Sequence, residues 1–421
     1  MDGRRIVLVV MLTTVATTAD RTILPLEVNP DCEGNCSEPW LIHVAANGQN
    51  DTLHHLWGAH GALSFMVVKT SLDAVMKVNW TELQTPSNVS VSFSEIPIHV
   101  FGLSIPNLIL FNDTDNSGRF NNSTKEQIIV PMTDFTWEVK TASNSTHEAG
   151  IIIETNTFRG ELLPNETKIS VQVAAFGENG RSTLLPHLLR TPDSAQFDLV
   201  LDHLVLDLNS TDYEPSRKDK ATQGISGFIN ARWALDLVMF CSEEKEVDDS
   251  GFKLSTKKSL DDENTPGVFH LDEIMTTLAR KSKNGGYMQW RPVSYLSSSR
   301  DINLATNPNI DVNFTPLKEI SQPLKESLAY AVFGNELVGT RMTAKTNVAF
   351  GMTNDNFYSE NNYTTWTVAI GNGYPPNESF STMVIIVITL GLSIPALMFI
   401  IGGTIIACRK FRRSSQPLIE N

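Results

Sequence analysis

Two groups of residues in this 421-residue chain have types and spacings suited to chemistry. His54, His55 and His60 are the only clustering of its nine histidines, and imidazoles so placed could ligate a transition metal or pass a proton. On a strand, however, His54 and His55 point to opposite faces and cannot share an ion, so packed or solvated histidines are expected. Asp113, Asp115, Ser117 and Gly118 open like a calcium loop of EF-hand type, whose twelfth position should be a bidentate Glu. That position is Thr124 and no flanking helices are predicted, so the match is read as adventitious. Asp261-Asp262 is a carboxylate pair of a kind too common in acidic loops to signal acid–base work. The chain contains no H-E-x-x-H, G-x-S-x-G, P-loop or G-x-G-x-x-G. These readings predict no catalytic group, no cofactor site and no metal site.

The elements around these residues are set first by the ends of the chain. Residues 1–19 have the layout of a secretory signal: Arg4 and Arg5, an apolar stretch over 6–12, and the small residues Thr17-Thr18-Ala19. Residues 383–407 are 25 positions without a charge, against the roughly 20 that a spanning helix requires. Arg409, Lys410, Arg412 and Arg413 follow directly, the basic cluster that marks a cytoplasmic flank. The predicted topology is type I, with 20–382 lumenal and a cytoplasmic tail over 408–421. Of the net charge of −14, the signal contributes +1 and the tail +3, so the lumenal part carries −18. That acidity excludes a general nucleic-acid binder. The lumenal cysteines Cys32, Cys36 and Cys241 are odd in number, so they cannot all pair within one chain.

Thirteen N-x-S/T sequons begin at Asn35, Asn50, Asn79, Asn88, Asn112, Asn121, Asn122, Asn144, Asn165, Asn209, Asn313, Asn362 and Asn377. Thirteen of 32 asparagines is well above the roughly one in six that chance gives, which predicts a heavily glycosylated ectodomain. Some acceptors are poor: Asn121 and Asn122 overlap, Asn313 is followed by Thr315-Pro316, and Asn377 lies just before the span. No sequon begins between 210 and 312, so that stretch is either a protein-facing surface or interior.

Period-two alternation predicts strands at Val89-Val91-Phe93, Phe135-Trp137-Val139, Ile169-Val171-Val173, Leu204-Leu206-Leu208, Trp233-Leu235-Leu237 and Trp366-Val368-Ile370. Leu271, Ile274, Met275 and Leu278 share one helical face and predict a helix over 270–283. A weaker helix over 317–333 should kink or divide at Pro323. The polar stretch 212–223 reads as a domain break and the polar run 242–266 as a long surface loop. The expected fold is mainly β: two β-sandwich-like lumenal domains, 20–215 and 216–382, above one C-terminal transmembrane helix.

Several segments, taken in order, resemble the glycosylated lysosomal membrane protein family. They are Thr52-Leu53-His54-His55-Leu56-Trp57, Val78-Asn79-Trp80-Thr81, Ser259-Leu260-Asp261-Asp262-Glu263 with Pro266-Gly267-Val268-Phe269 and Leu271-Asp272, Gln289-Trp290-Arg291-Pro292-Val293 with Tyr295, and Trp366 through Gly371 with Gly373, Pro375 and Pro376. The resemblance implies a lysosomal type I membrane protein without enzymatic activity. It further implies an accessory subunit whose lumenal domain binds a major-facilitator transporter, protects it from proteolysis and supports its lysosomal localisation. Within the bare stretch, Trp290 and Arg291 are of types enriched in interface hot spots and are the candidate partner interface; a core position for Trp290 is the other reading. Family members can end in a Tyr-based sorting signal, but this tail has no Tyr; Leu418-Ile419, with Ser414 where an acidic residue is usual, resembles a dileucine signal. Topology, strands and sequons would also suit a plasma-membrane receptor or adhesion ectodomain, and a lumenal hydrolase built on carboxylates is a third reading.

Overall fold

Alternating apolar residues bury one side of each strand, and the computed structural model stacks those sides as two large antiparallel sheets. It describes residues 21–414 other than 35, 37, 121–125, 160–162, 164–165, 205–230, 246–250, 259–264, 282–283, 354, 356–362 and 378–381. The first sheet has eleven strands. Its main order is Thr22–Ile23, Ile42–Asn47, Asp51–Gly58, Leu63–Ser71, His99–Ile105, Ala231–Glu244, Arg341–Phe350 and Pro308–Ile310. The second runs Phe135–Asn144, Glu148–Phe158, Lys168–Phe176, Ser194–Asp202, Tyr363–Asn372, Gly286–Trp290, His270–Thr276 and Phe252–Lys258.

Between the sheets, Phe65 stacks on Phe197 at 4.2 Å, and Trp366 meets Phe197 and Trp290 edge-on at 5.8 and 6.4 Å. Such aromatic pairs add about 0.5–1.5 kcal/mol each beyond their buried area. The outer face of the first sheet is covered as well. Leu56, Met66, Val100 and Phe240 pack there against Leu324, Leu328, Tyr330 and Phe333 of two short helices. Those helices, Gln322–Lys325 and Leu328–Phe333, divide the predicted helix over 317–333; Pro323 sits in the first turn of the former, where its missing N–H costs no helical bond.

The predicted strands around Phe93, Trp137, Val171, Leu235 and Val368 are present; 205–208 of the Leu204 run lie outside the described residues. Three expectations differ. Strands from either side of residue 216 share both sheets: Ala231–Glu244 lies between His99–Ile105 and Arg341–Phe350, and Ser194–Asp202 pairs with Tyr363–Asn372. One core therefore runs through both segments. The predicted helix over 270–283 is instead the strand His270–Thr276 followed by the short helix Thr277–Lys281. Ile274 packs into the inter-sheet core, whereas Leu271 packs outside against Leu188 and Ala369. Burial on both faces erases the alternation that marks a strand. The polar run over 242–266 contains the edge strand Phe252–Lys258, whose outward Lys and Ser residues gave it the look of a loop.

At the C-terminus, Thr382–Ser414 forms one helix, uncharged from Met383 to Cys408 and long enough to cross a membrane. Its Ile385, Leu390, Phe399 and Ile406 side chains are exposed, as lipid-facing residues of a span would be.

Candidate functional site

Six sequon asparagines stand exposed on this body: Asn50, Asn79, Asn88, Asn144, Asn313 and Asn377. They sit in turns and strand ends, where polar residues interrupt the apolar alternation. Asn112 differs. It ends a strand with only 4% of its surface exposed, and its Nδ2 donates to Glu126 Oε2 at 2.5 Å, so the atom that would carry a glycan is buried. Asn35, Asn121, Asn122, Asn165, Asn209 and Asn362 lie outside the described residues, as do Leu418 and Ile419.

Trp290 and Arg291 do not form a surface. They are 1% and 0% exposed, Trp290 in the inter-sheet core and Arg291 donating from Nη1 to the Val268 carbonyl at 2.8 Å. The stretch 210–312 lacks sequons because its strands, where described, are largely interior. The surface instead offers an apolar tip that sequence reasoning missed. Leu72, Val75, Ile96 and Ile98 are 41%, 61%, 94% and 52% exposed. Their two loops are joined by bonds from Ser94 N to Val75 O at 2.8 Å and from Val75 N to Ser94 Oγ at 2.9 Å. The clue in the sequence was Ile96-Pro97-Ile98 beside Glu95, an apolar triplet unlike a buried strand.

The groups suited to chemistry take structural partners. In the calcium-like loop, the Arg232 guanidinium fills the cation's place: its Nε meets Asp113 Oδ2 at 2.5 Å, and its Nη2 meets Asp355 Oδ1 at 3.0 Å and Asn116 Oδ1 at 2.5 Å. Asp113 also accepts from the Ser117 and Gly118 amides at 3.1 and 2.9 Å. Gly118 has φ +73°, and a Cβ there would lie 2.7 Å from the Gly351 backbone, so the loop closes only on glycine. A second buried cation, Arg300, pairs with Asp198 and is capped by Tyr295.

The histidine cluster divides across its strand as expected, His54 and His55 on opposite sides of the sheet. His54 Nδ1 lies 3.0 Å from His43 Nε2, and its Nε2 lies 3.1 Å from Thr70 Oγ1. His60 stacks on Trp40 at 3.9 Å. His55 is wholly buried, with no hydrogen-bond partner on either ring nitrogen. Burial, aided by neighbouring positive groups, pushes His54 and His55 down to about 3. These imidazoles are held neutral, as packing residues rather than proton relays at ordinary pH. Cys32 pairs with Cys36, while Cys241 is a buried free thiol that its surroundings push up. Beside it lie His99 and Glu243, a trio that no sequence spacing announces because its members come from paired strands far apart in the chain.

A family model described as glycosylated lysosomal membrane protein matches residues 40–413 of the chain. Among similar proteins, the glycosylated lysosomal membrane protein of Danio rerio is 27% identical over 424 residues, covering 94% of this chain and 91% of its own. Glycosylated lysosomal membrane protein B of Xenopus laevis is 24% identical over 388 residues, covering 90% and 89%. The Homo sapiens glycosylated lysosomal membrane protein is 25% identical over 407 residues, covering 90% and 86%.

Proposed function

Because the chain belongs to the glycosylated lysosomal membrane protein family, we propose that it is a non-catalytic accessory subunit of a lysosomal major-facilitator transporter. It is a lysosomal membrane glycoprotein with a large N-terminal lumenal domain and one candidate transmembrane helix near its C-terminus. The observation that carries the proposal is the exposed acceptors around a body whose buried ionic groups serve packing. Asn50, Asn79, Asn88, Asn144 and Asn313 would spread glycans over the surface of the sandwich. A coat of that kind blocks proteases from loops, and extends to whatever the domain covers.

The contact with the transporter is assigned to the apolar tip of Leu72, Val75, Ile96 and Ile98, since Trp290 and Arg291 are interior. An exposed apolar cluster is uncommon on a protein that stays alone and marks a contact with a partner. The test is affinity purification of the full-length chain from lysosomes, followed by mass spectrometry. A multi-spanning transporter should co-purify with the wild type and be at least tenfold depleted with Ile96→Asp/Ile98→Asp, whose exposed sites leave folding intact. Equal recovery of the same transporter by both would remove the tip from the interface. Recovery of no multi-spanning protein by the wild type would overturn the accessory role.

A further inference from the structure

Antiparallel pairing places Cys241 opposite Phe101, and two residues further along each strand His99 and Glu243 bring their side chains together. Side chains two apart on a strand share a face, as do those of directly opposed residues. His99, Cys241 and Glu243 are thereby gathered from positions up to 144 residues apart. The pairing of Ala231–Glu244 with Arg341–Phe350 is irregular between Phe240 and Glu244, a distortion of the sort that re-aims side chains. From the short helix Thr277–Lys281, which follows the strand His270–Thr276, the Leu278 amide donates to Glu243 Oε2 at 3.0 Å.

We propose that His99, Cys241 and Glu243 form a buried binding site for a divalent cation of the zinc class. Thiolate, imidazole and carboxylate together are a donor set typical of zinc, each supplying one ligand atom. The three ligand atoms lie within 4.8 Å of one another, and His99 Nε2 is 3.4 Å from Glu243 Oε1. Bond lengths of about 2.0–2.3 Å put tetrahedral zinc ligands roughly 3.3–3.8 Å apart, so the His–Glu edge already has the required length. The Cys241 sulfur has only to move inward by about 1 Å, a rotamer-scale adjustment. The His99 and Glu243 side chains are 2% and 7% exposed; Glu243 is the less buried and marks the side from which a cation and a fourth, water ligand would enter. The second oxygen of Glu243, held by Leu278, orients the carboxylate as an outer partner does in metal sites. Binding exchanges the thiol proton for the metal and releases it to solvent. Cys32 and Cys36 are paired with each other, so Cys241 is the lumenal thiol left for such a ligand.

The inference does not depend on the transporter reading. Its test uses the full-length glycosylated chain in detergent, stripped with a chelator and titrated with Co²⁺. Folded wild-type protein should develop a near-ultraviolet cobalt–thiolate absorption saturating at one ion per chain and displaced by Zn²⁺. Cys241→Ser should lose that absorption, and His99→Gln should bind Zn²⁺ at least tenfold more weakly. Zn²⁺ should also raise the melting temperature of the wild type, which reads the same site without any variant. Folded wild type that shows neither the thiolate absorption nor a Zn²⁺-dependent melting shift overturns the proposal, as does a thiolate absorption that survives in Cys241→Ser.

Discussion

His55 offers a quantitative test of how this domain is built for its compartment. The side chain is wholly buried beside Trp57, and neither ring nitrogen has a hydrogen-bond partner. Burial holds it near 3 in the folded state, against 6.5 for an ordinary histidine. A depressed histidine makes the unfolded chain the stronger proton binder below pH 6.5. Stability is therefore lost progressively as pH falls from 6.5 toward the folded value. At 1.36 kcal/mol per pH unit, acidification from about pH 6.5 to about pH 5 costs roughly 2 kcal/mol through this one residue. His55→Leu removes that proton linkage while keeping an apolar group of similar size. Urea unfolding of the two proteins at both pH values isolates the effect as a difference of differences. The variant should gain about 2 kcal/mol relative to wild type on acidification, whatever its stability at neutral pH. A stability difference that stays constant over the same range would refute the reasoning, because it would mean that His55 titrates alike in the folded and unfolded chains.

Other consequences are equally direct. Arg232→Met strands the buried Asp113 carboxylate and should cost about 3–5 kcal/mol in unfolding experiments; a loss below about 1 kcal/mol would mean that the loop does not depend on the guanidinium. Because Arg232 fills that loop, adding calcium should leave the melting temperature unchanged. Glycopeptide mapping should find glycans at Asn50, Asn79, Asn88 and Asn144 and none at Asn112, whose occupancy would require the strand end to open. Trp290→Ala should destabilise the fold by about 3–5 kcal/mol through the cavity it leaves, which denaturant midpoints would detect. Leu418→Ala/Ile419→Ala should divert the chain, expressed alone, to the cell surface; unaltered lysosomal delivery of that variant would rule out the dileucine signal.

Much of the fold was legible where a strand buries one face. Phe135-Trp137 and Ile169-Val171-Val173 alternate because only one of their sides meets the opposite sheet, whereas Val139 continues the pattern but is exposed. The strand His270–Thr276 was not legible, because Leu271 and Ile274 bury opposite faces and their spacing imitates a helix. The division near 216 failed for a different reason. A polar stretch does not tell whether the segments on either side of it share a core, and the pairing of Ala231–Glu244 with distant strands leaves no local mark. The same non-locality hid His99, Cys241 and Glu243. Trp290 and Arg291 misled because their types are enriched at interfaces but serve interiors when a carbonyl such as that of Val268 receives the guanidinium. Sequons were readable as a pattern, but only the fold separates exposed Asn79 and Asn144 from buried Asn112.

The central claim is protection of a transporter, and the lifetime of that partner in lysosomes tests it most directly. The measurement is pulse-chase of the co-purified transporter in cells with and without this chain, each in the presence and absence of lysosomal protease inhibitors. The account predicts a transporter that reaches lysosomes without the chain but disappears several-fold faster there, with its lifetime restored by the inhibitors. A transporter whose lysosomal lifetime is the same with and without the chain would contradict it.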